Sequence, residues 1–257
     1  MSPAPPVNDA TLETLLDNPY WGALCTTQSD YAIGSSLAKR FPADVIPFAG
    51  LANKGPEALA ALHALLAPGE SIFVTSPHPL DSQQFQELRQ LPGLQMAHPP
   101  GTRILDPSDG SVADAPVIQE LGPQDIPEML ALKAIAFPGY FGPRAASLGK
   151  FFGIRAPRSA NNQGGSNNPG ELVAMAGERL KLAGMCEISA VCTHPQHVGK
   201  GYAAALIQHL LRVHAAEGTE SFLQVVNANT RAIALYQRLG FIPTRPITWR
   251  QIQRIEP

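Results

Sequence analysis

The residues with the clearest capacity for chemistry are Gln196-His197-Val198-Gly199-Lys200-Gly201-Tyr202-Ala203, which follow a strand pattern and open a helical one. Glycine at 199 and 201 lets the backbone curl, so that successive N–H groups point into one concavity. With the N-terminus of the following helix, those donors suit a diphosphate. Two neighbouring stretches carry titratable side chains. Along Met185–Thr193 (MCEISAVCT) a period of two puts Ile188, Ala190 and Cys192 on one face, fit for packing under a helix. Glu187, Ser189, Val191 and Thr193 then share the other face, toward a cleft. Further on, Ala232, Leu235, Tyr236 and Leu239 fall at i, i+3, i+4 and i+7, which sets Tyr236 at the edge of a buried helical face.

Other elements must hold these groups in place. Residues 56–66 are predicted helical, with Pro56 at the start and Leu59, Leu62, Leu65 and Leu66 on one face. A strand is predicted over 71–75, a weak one over 44–48, and helices over 11–16 and 83–91, the latter stopped by Pro92-Gly93. The Pro-, Gly-, Asp- and Ser-dense stretch 99–116 is read as a boundary between an α/β unit, 1–114, and a second unit, 115–257. In the second unit, strands are predicted over 117–121, 151–155, 172–179, 185–193, 222–226 and 241–252, with helices over 124–137, 201–217 and 230–239. Residues 156–170 hold no Val, Ile, Leu or aromatic residue and read as a long flexible loop. Asn229 is placed to cap the last helix and Gly240 to end it.

Composition narrows the functions open to the chain. It has 257 residues with 19 basic and 21 acidic side chains, a formal charge of −2, which argues against a nucleic-acid or polybasic membrane-surface binder. No apolar run approaches the roughly 20 residues that span a bilayer. The start, MSPAPPVNDA, lacks a basic n-region and an apolar h-region, so no secretory leader is expected. The three cysteines are scattered; Cys25, Cys186 and Cys192 read as reduced thiols of a cytoplasmic protein, with Cys186 and Cys192 as small core residues. His209 and His214 on the long helix are expected at the surface. His194 and His197 straddle a turn with no third ligand nearby, so no metal is expected.

Together "EISAVCTHPQHVGKGYAAALI" and "NANTRAIALYQRLGFIP" make residues 117–257 similar to the GNAT N-acetyltransferase superfamily. "FFGIR" and "ELVAMAGERL" ahead of them resemble one branch, whose N-terminal half is a degenerate GNAT-like domain. The resemblance implies an α+β fold: a mixed, mostly antiparallel sheet flanked by helices, preceded by a smaller α/β N-terminal domain. It implies acetyl-CoA as cosubstrate, with the pyrophosphate cradled by Val198, Gly199, Lys200, Gly201, Tyr202 and Ala203. Val191 and Thr193 would offer backbone contacts to pantetheine, and Asn229 would cap the last helix near the cofactor arm. In the family a tyrosine matching Tyr236 often protonates the departing thiolate.

The pattern also departs from the family. The variable loop positions are usually basic, and here 197 and 198 are His and Val, leaving Lys200. The implied acceptor is a small-molecule or peptide amine, attacking directly in a ternary complex. A lysine-like amine is only about one part in 10³ neutral at pH 7, so a base must take its proton, and Glu187 is the candidate, directly or through water. The stretch with Tyr140, Phe141 and Arg144 is expected beside the acceptor. The other readings are a CoA-binding sensor without catalysis and a transferase for longer acyl groups.

Overall fold

The computed structural model describes residues 16–80, 83–104, 116–136, 140–156 and 170–255. Helix α1 (Pro19–Cys25) starts with proline at its first turn, where the ring's missing N–H costs nothing. Strands β1 (Ile33–Gly34), β2 (Ala38–Arg40) and β3 (Ala49–Leu51) form a small antiparallel sheet against α2 (Pro56–Ala64). Strands β4 (Ser71–Thr75) and β5 (Phe85–His98) follow, then β6 (Ile118–Glu120), α3 (Ile126–Ala136), β7 (Phe151–Arg155), β8 (Leu172–Leu182) and β9 (Met185–Thr193). The chain ends with α4 (Tyr202–Ala216), β10 (Glu220–Val226), α5 (Thr230–Arg238) and β11 (Ile242–Arg254).

One eight-stranded sheet organises the molecule, in the order β4-β11-β5-β10-β9-β8-β7-β6. Its pairs are antiparallel except β9 with β10. The mixed, mostly antiparallel sheet flanked by helices is the architecture the sequence implied. The sheet also runs across the 114/115 boundary, because β4 and β5 come from the N-terminal half. No helix among the described residues is long and apolar enough to cross a membrane.

Two local readings are corrected. Residues 83–91 have a helical composition, yet they enter β5, which lies between β10 and β11. Tertiary pairing overrides propensity there. The Pro92-Gly93 pair marks the point where β10 runs out, since β10 pairs with 93–98 only. Pro92 therefore sits where one strand edge needs no N–H. Gly93 is required by close approach: a Cβ there would lie 2.4 Å from the Val225 carbonyl oxygen and 2.5 Å from the Trp249 ring. Residues 44–48 form a turn rather than a strand, with only Phe48 bridging to Phe73. The predicted helix 11–16, apart from Leu16, and most of the loop 156–170 fall outside the described residues.

The two faces of the sheet are packed differently. Helix α4 buries Leu206, Ile207, Leu210 and Leu211 against Ile188, Val173 and Ala176. Helix α3 buries Met129 and Leu132 against Met175 and Cys192. Tyr20, Ala23 and Leu24 of α1 pack with Phe41, Leu180, Phe222 and Trp249. Each such side chain, buried in full, contributes on the order of 1.5–3 kcal/mol.

His214 is fully buried, which corrects its surface assignment. Its Nδ1 meets Ser221 Oγ at 2.7 Å and its Nε2 lies 3.3 Å from Glu178 Oε1. Glu178 Oε2 accepts from Lys181 Nζ at 2.9 Å and from the Lys150 N–H at 3.0 Å. Burial would raise this carboxyl, but His214, Lys181 and the Lys150 amide outweigh it and hold the pKa at about 2. A depressed carboxyl contributes stability that is complete above its unfolded value and lost as pH falls toward its folded value. Stability is therefore expected to decline as pH drops from 4.5 to about 2. Urea midpoints measured across that range should fall less steeply in Glu178→Gln; identical slopes would remove Glu178 from the acid response. Cys186 Sγ lies within 4.8 Å of the Glu178 and His214 donor atoms, but the carboxylate is already neutralised by Lys181, and no cofactor is assigned to this cluster.

Candidate acyl-transfer site

Strands β9 and β10 run parallel for only three residue pairs, Met185–Glu187 with Glu220–Phe222. Beyond Glu187 they part: β9 continues beside β8 alone and β10 beside β5 alone. Among the described residues the resulting fork leaves one edge of β9 without a strand partner, and Ser189, Ala190 and Val191 at its mouth are half-buried. An open strand edge is a template for an extended ligand that adds itself as a strand.

A bulge sits at the same place. Met175 pairs with Cys192 and Gly177 with Ser189, so Ala190 and Val191 oppose the single residue Ala176. Ala190 takes φ +53°, a left-handed conformation that costs a non-glycine residue about 1–3 kcal/mol. The bulge overturns the period-two reading past Ser189. Val191 packs with the α4 cluster that holds Ile188, while Ala190 and Cys192 turn to the α3 cluster. Glu187, Ser189, Val191 and Thr193 therefore do not share one cleft face, because one extra residue shifts the alternation.

At the end of β9, Pro195–His197 make a single turn and the glycine loop follows. Gly199 and Gly201 have φ +85° and +77°, and a Cβ on either would meet nothing within 4 Å. The loop is thus left-handed at both glycines and lined by open space. Gly201 precedes α4, whose first turn has no side-chain cap. The early N–H groups of an α-helix lack intrahelical acceptors and carry the positive end of its dipole. Tyr202 and Ala203 stand at that end, and Val198 is exposed. Lys200 Nζ lies 3.2 Å from His197 Nδ1. Partial burial, Lys200 and His194 hold His197 below the ordinary histidine value, which favours its neutral form beside the Lys200 ammonium.

Asn229 caps α5 as the sequence predicted, its Oδ1 accepting from the Ala232 N–H at 3.2 Å. The cap fixes the start of the helix that carries Tyr236. Tyr236 packs in the same cluster as Ile188, with Val191 against that cluster, and it is 9% exposed. Burial pushes its phenol up to about 12. The hydroxyl is thus a hydrogen-bond donor at every physiological pH.

Glu187 is sealed, at 0% exposure. Its Oε2 accepts from Arg179 Nε at 2.8 Å and its Oε1 from Arg179 Nη2 at 2.6 Å. This bidentate pair stands at the vertex of the fork, next to the last β9–β10 pairing. Arg179 Nη2 also donates to Gln224 Oε1 at 3.3 Å, and the Tyr20 hydroxyl donates to the same oxygen at 3.1 Å. The sequence held no signal for Tyr20, which lies 204 residues before Gln224.

The remaining expectations divide. Tyr140 O–H donates to the Ala43 carbonyl, and Arg144 Nη1 lies 3.1 Å from Asp44 Oδ2. Phe141 packs edge-on to Phe151, 5.7 Å between ring centres. Cys186 and Cys192 are buried, and burial raises both thiols, Cys192 to about 11. A cavity of about 340 Å³ lies away from the fork, lined by His98, Thr102, Leu211, Ala215 and Ser221 near the C-terminal end of α4. A cavity of about 210 Å³ borders α3 and His194. The fork holds the free strand edge beside the glycine loop, so it is taken as the site.

The comparisons agree with this geometry. The FR47-like protein family matches residues 166–250, which span the fork, the glycine loop and α5. No curated protein matches the chain. Among solved structures, a GCN5-related N-acetyltransferase from Kribbella flavida is 16% identical, with TM-score 0.55 over 91% of this chain and 94% of that one. A GCN5-related N-acetyltransferase-like protein from Streptococcus suis 89/1591 is 12% identical, with TM-score 0.53 over 86% and 82%. Both show the fold. A protein from Novosphingobium aromaticivorans DSM 12444, assigned as an acetyltransferase of the GNAT family, is 32% identical with TM-score 0.79, over 94% of this chain and 99% of that one. With that identity sustained across nearly the whole of both chains, and the forked sheet and glycine loop in place, this chain belongs to the GNAT family, whose fold supports acyl transfer.

Proposed function

We propose that the protein transfers an acetyl group from acetyl-CoA to an amine by direct attack in a ternary complex. The observation that carries this reading is the fork: an unpaired β9 edge leading into a left-handed glycine loop and an uncapped helix start. Backbone groups of Val191 and Thr193 would bind the pantetheine arm as an added strand. The amides from Val198 to Ala203, with Lys200, would hold the diphosphate. The cosubstrate would supply the thioester. In this reading Tyr236 donates its hydroxyl to the sulfur as charge develops. A thiol of pKa about 8.5 opposite a phenol near 12 makes complete proton transfer uphill by roughly 5 kcal/mol, so the hydroxyl acts as a hydrogen-bond donor. Glu187 takes the amine's proton through water. Arg179 fills only part of the carboxylate's roughly four acceptor sites, so a water admitted by local opening at the fork would find one free on the sealed group.

Thiol release from acetyl-CoA with a panel of amino acids, polyamines and peptide N-termini tests the proposal directly. A second reading, binding without transfer, draws on one observation: Glu187 is fully buried and doubly bound. Calorimetric binding of acetyl-CoA with no thiol release across the panel would favour it.

Gly199→Val is expected to weaken acetyl-CoA binding at least tenfold. The substitution strains φ +85° by about 1–2 kcal/mol and puts a side chain into the open cradle. Unchanged affinity would move the diphosphate site elsewhere.

A further inference from the structure

The N-terminal half reaches the Arg179–Glu187 pair at the fork with Tyr20 and Phe48. Tyr20 of α1 is fully buried, and its hydroxyl receives a hydrogen bond from Trp249 Nε1 at 3.2 Å and passes one on to Gln224 Oε1 at 3.1 Å. Gln224 is on β10, two residues beyond Phe222, the last residue paired with β9. Its amide orientation is determined, because two donors, the Tyr20 hydroxyl and Arg179 Nη2, meet the same atom, which must be oxygen. The direction of the chain is determined with it: Trp249 to Tyr20, Tyr20 to Gln224, Arg179 to Gln224 and Glu187. The Arg179 guanidinium is also framed by rings. Its Cζ lies 5.8 Å from the Tyr20 ring centre and 5.3 Å from that of Phe48, and the two rings stack at 4.6 Å with 1° between their planes.

We propose that Tyr20 is a positioning residue for acyl transfer: from the N-terminal helix it holds Gln224, and through Gln224 it aims the Arg179–Glu187 pair at the vertex of the fork. This rests on the transfer reading above, with Glu187 as proton acceptor. Where two strands separate, the ladder between them ends and no longer sets how side chains reach from one to the other. A guanidinium with two donors to one carboxylate can still swing as a unit with it. The bond to Gln224, anchored in turn by Tyr20, is the third point that stops the swing. The N-terminal half thereby completes the site.

The test is Tyr20→Phe, which keeps the ring stack and removes only the hydroxyl. The expected result is a kcat about tenfold lower with the KM for acetyl-CoA within twofold of the parent. In a Gln224→Leu background the same substitution should cause a clearly smaller further loss, since Tyr20 acts mainly through Gln224 and otherwise only by lying beside Arg179. Tyr31→Phe is the control; its hydroxyl donates to the Ser147 carbonyl, outside this chain of bonds, and kcat should not change. Unchanged kcat in Tyr20→Phe, or losses that multiply in the double variant, would overturn the proposal. A readout free of turnover separates this from failure of the transfer reading. The Arg179 Nε–H, bonded to Glu187 in the folded protein, should exchange with solvent at least tenfold faster in Tyr20→Phe. Unaltered exchange overturns the positioning role whether or not any amine is acetylated. Faster exchange in a protein that releases no thiol leaves the Tyr20 network standing and removes the transfer reading.

Discussion

Replacing Tyr236 by phenylalanine is expected to lower kcat about 10²-fold while leaving the KM for acetyl-CoA within about twofold. The ring is held by packing in the cluster with Phe241, whose ring centre is 6.1 Å away, and that packing survives the substitution. What is lost is one donor that matters only when the thiolate forms. An interaction made in the transition state alone shows in kcat rather than in KM. Because burial lifts the phenol to about 12, its titration should not appear in the pH–rate profile below about pH 10. Steady-state kinetics of the variant decide the point. A kcat equal to that of the parent would make Tyr236 a packing residue only.

Glu187→Gln is expected to act on stability and turnover together. The substitution leaves the Arg179 guanidinium, 19% exposed, without its bidentate counter-charge. Breaking a buried ion pair from one side costs about 3–5 kcal/mol, since the remaining charge stays desolvated. Turnover should fall about 10²-fold or more if the carboxylate accepts the amine's proton. The two effects can be separated. Replacing Arg179 and Glu187 together by methionine removes both charges and should restore most of the stability, as paired apolar replacements commonly do. Turnover should stay low in that double variant. Recovery of kcat along with stability would show that Glu187 has only a structural part and that another group accepts the amine's proton. Urea unfolding and thiol release on the three proteins supply all the readouts.

The Glu178 and Glu187 carboxylates illustrate how one strand hairpin sorts charge. Bulges in β8 and β9 leave Glu178 facing α4 with His214, and Glu187 facing α1 with Arg179. Each has its own cation, Lys181 for the first and Arg179 for the second. The acid-sensitive group is therefore on the face away from the proposed proton acceptor, and pH effects on stability and on turnover should be separable by substitution at 178 and at 187.

The sequence by itself determined the parts whose cause is local. Gly199 and Gly201 announce a left-handed loop because only glycine takes φ near +80° without strain. Asn229 announces a cap because its side chain reaches an amide three residues on. The apolar stripes of α4 and α5 follow from a period of 3.6 and need no distant partner. Tertiary structure decided the rest. Residues 83–91 have a helical composition, yet 85–91 became strand because β11 offered them an edge to pair with. The bulge at Ala190 changed which side chains face the fork, and a break in strict alternation comes from the register of β8 against β9, not from residue type. Tyr20 lies 204 residues before Gln224 and joined the site through contacts that exist only once α1 packs on the sheet. Local geometry is written in neighbouring residues; the aim of a buried ion pair depends on partners that only the folded chain brings within hydrogen-bonding distance.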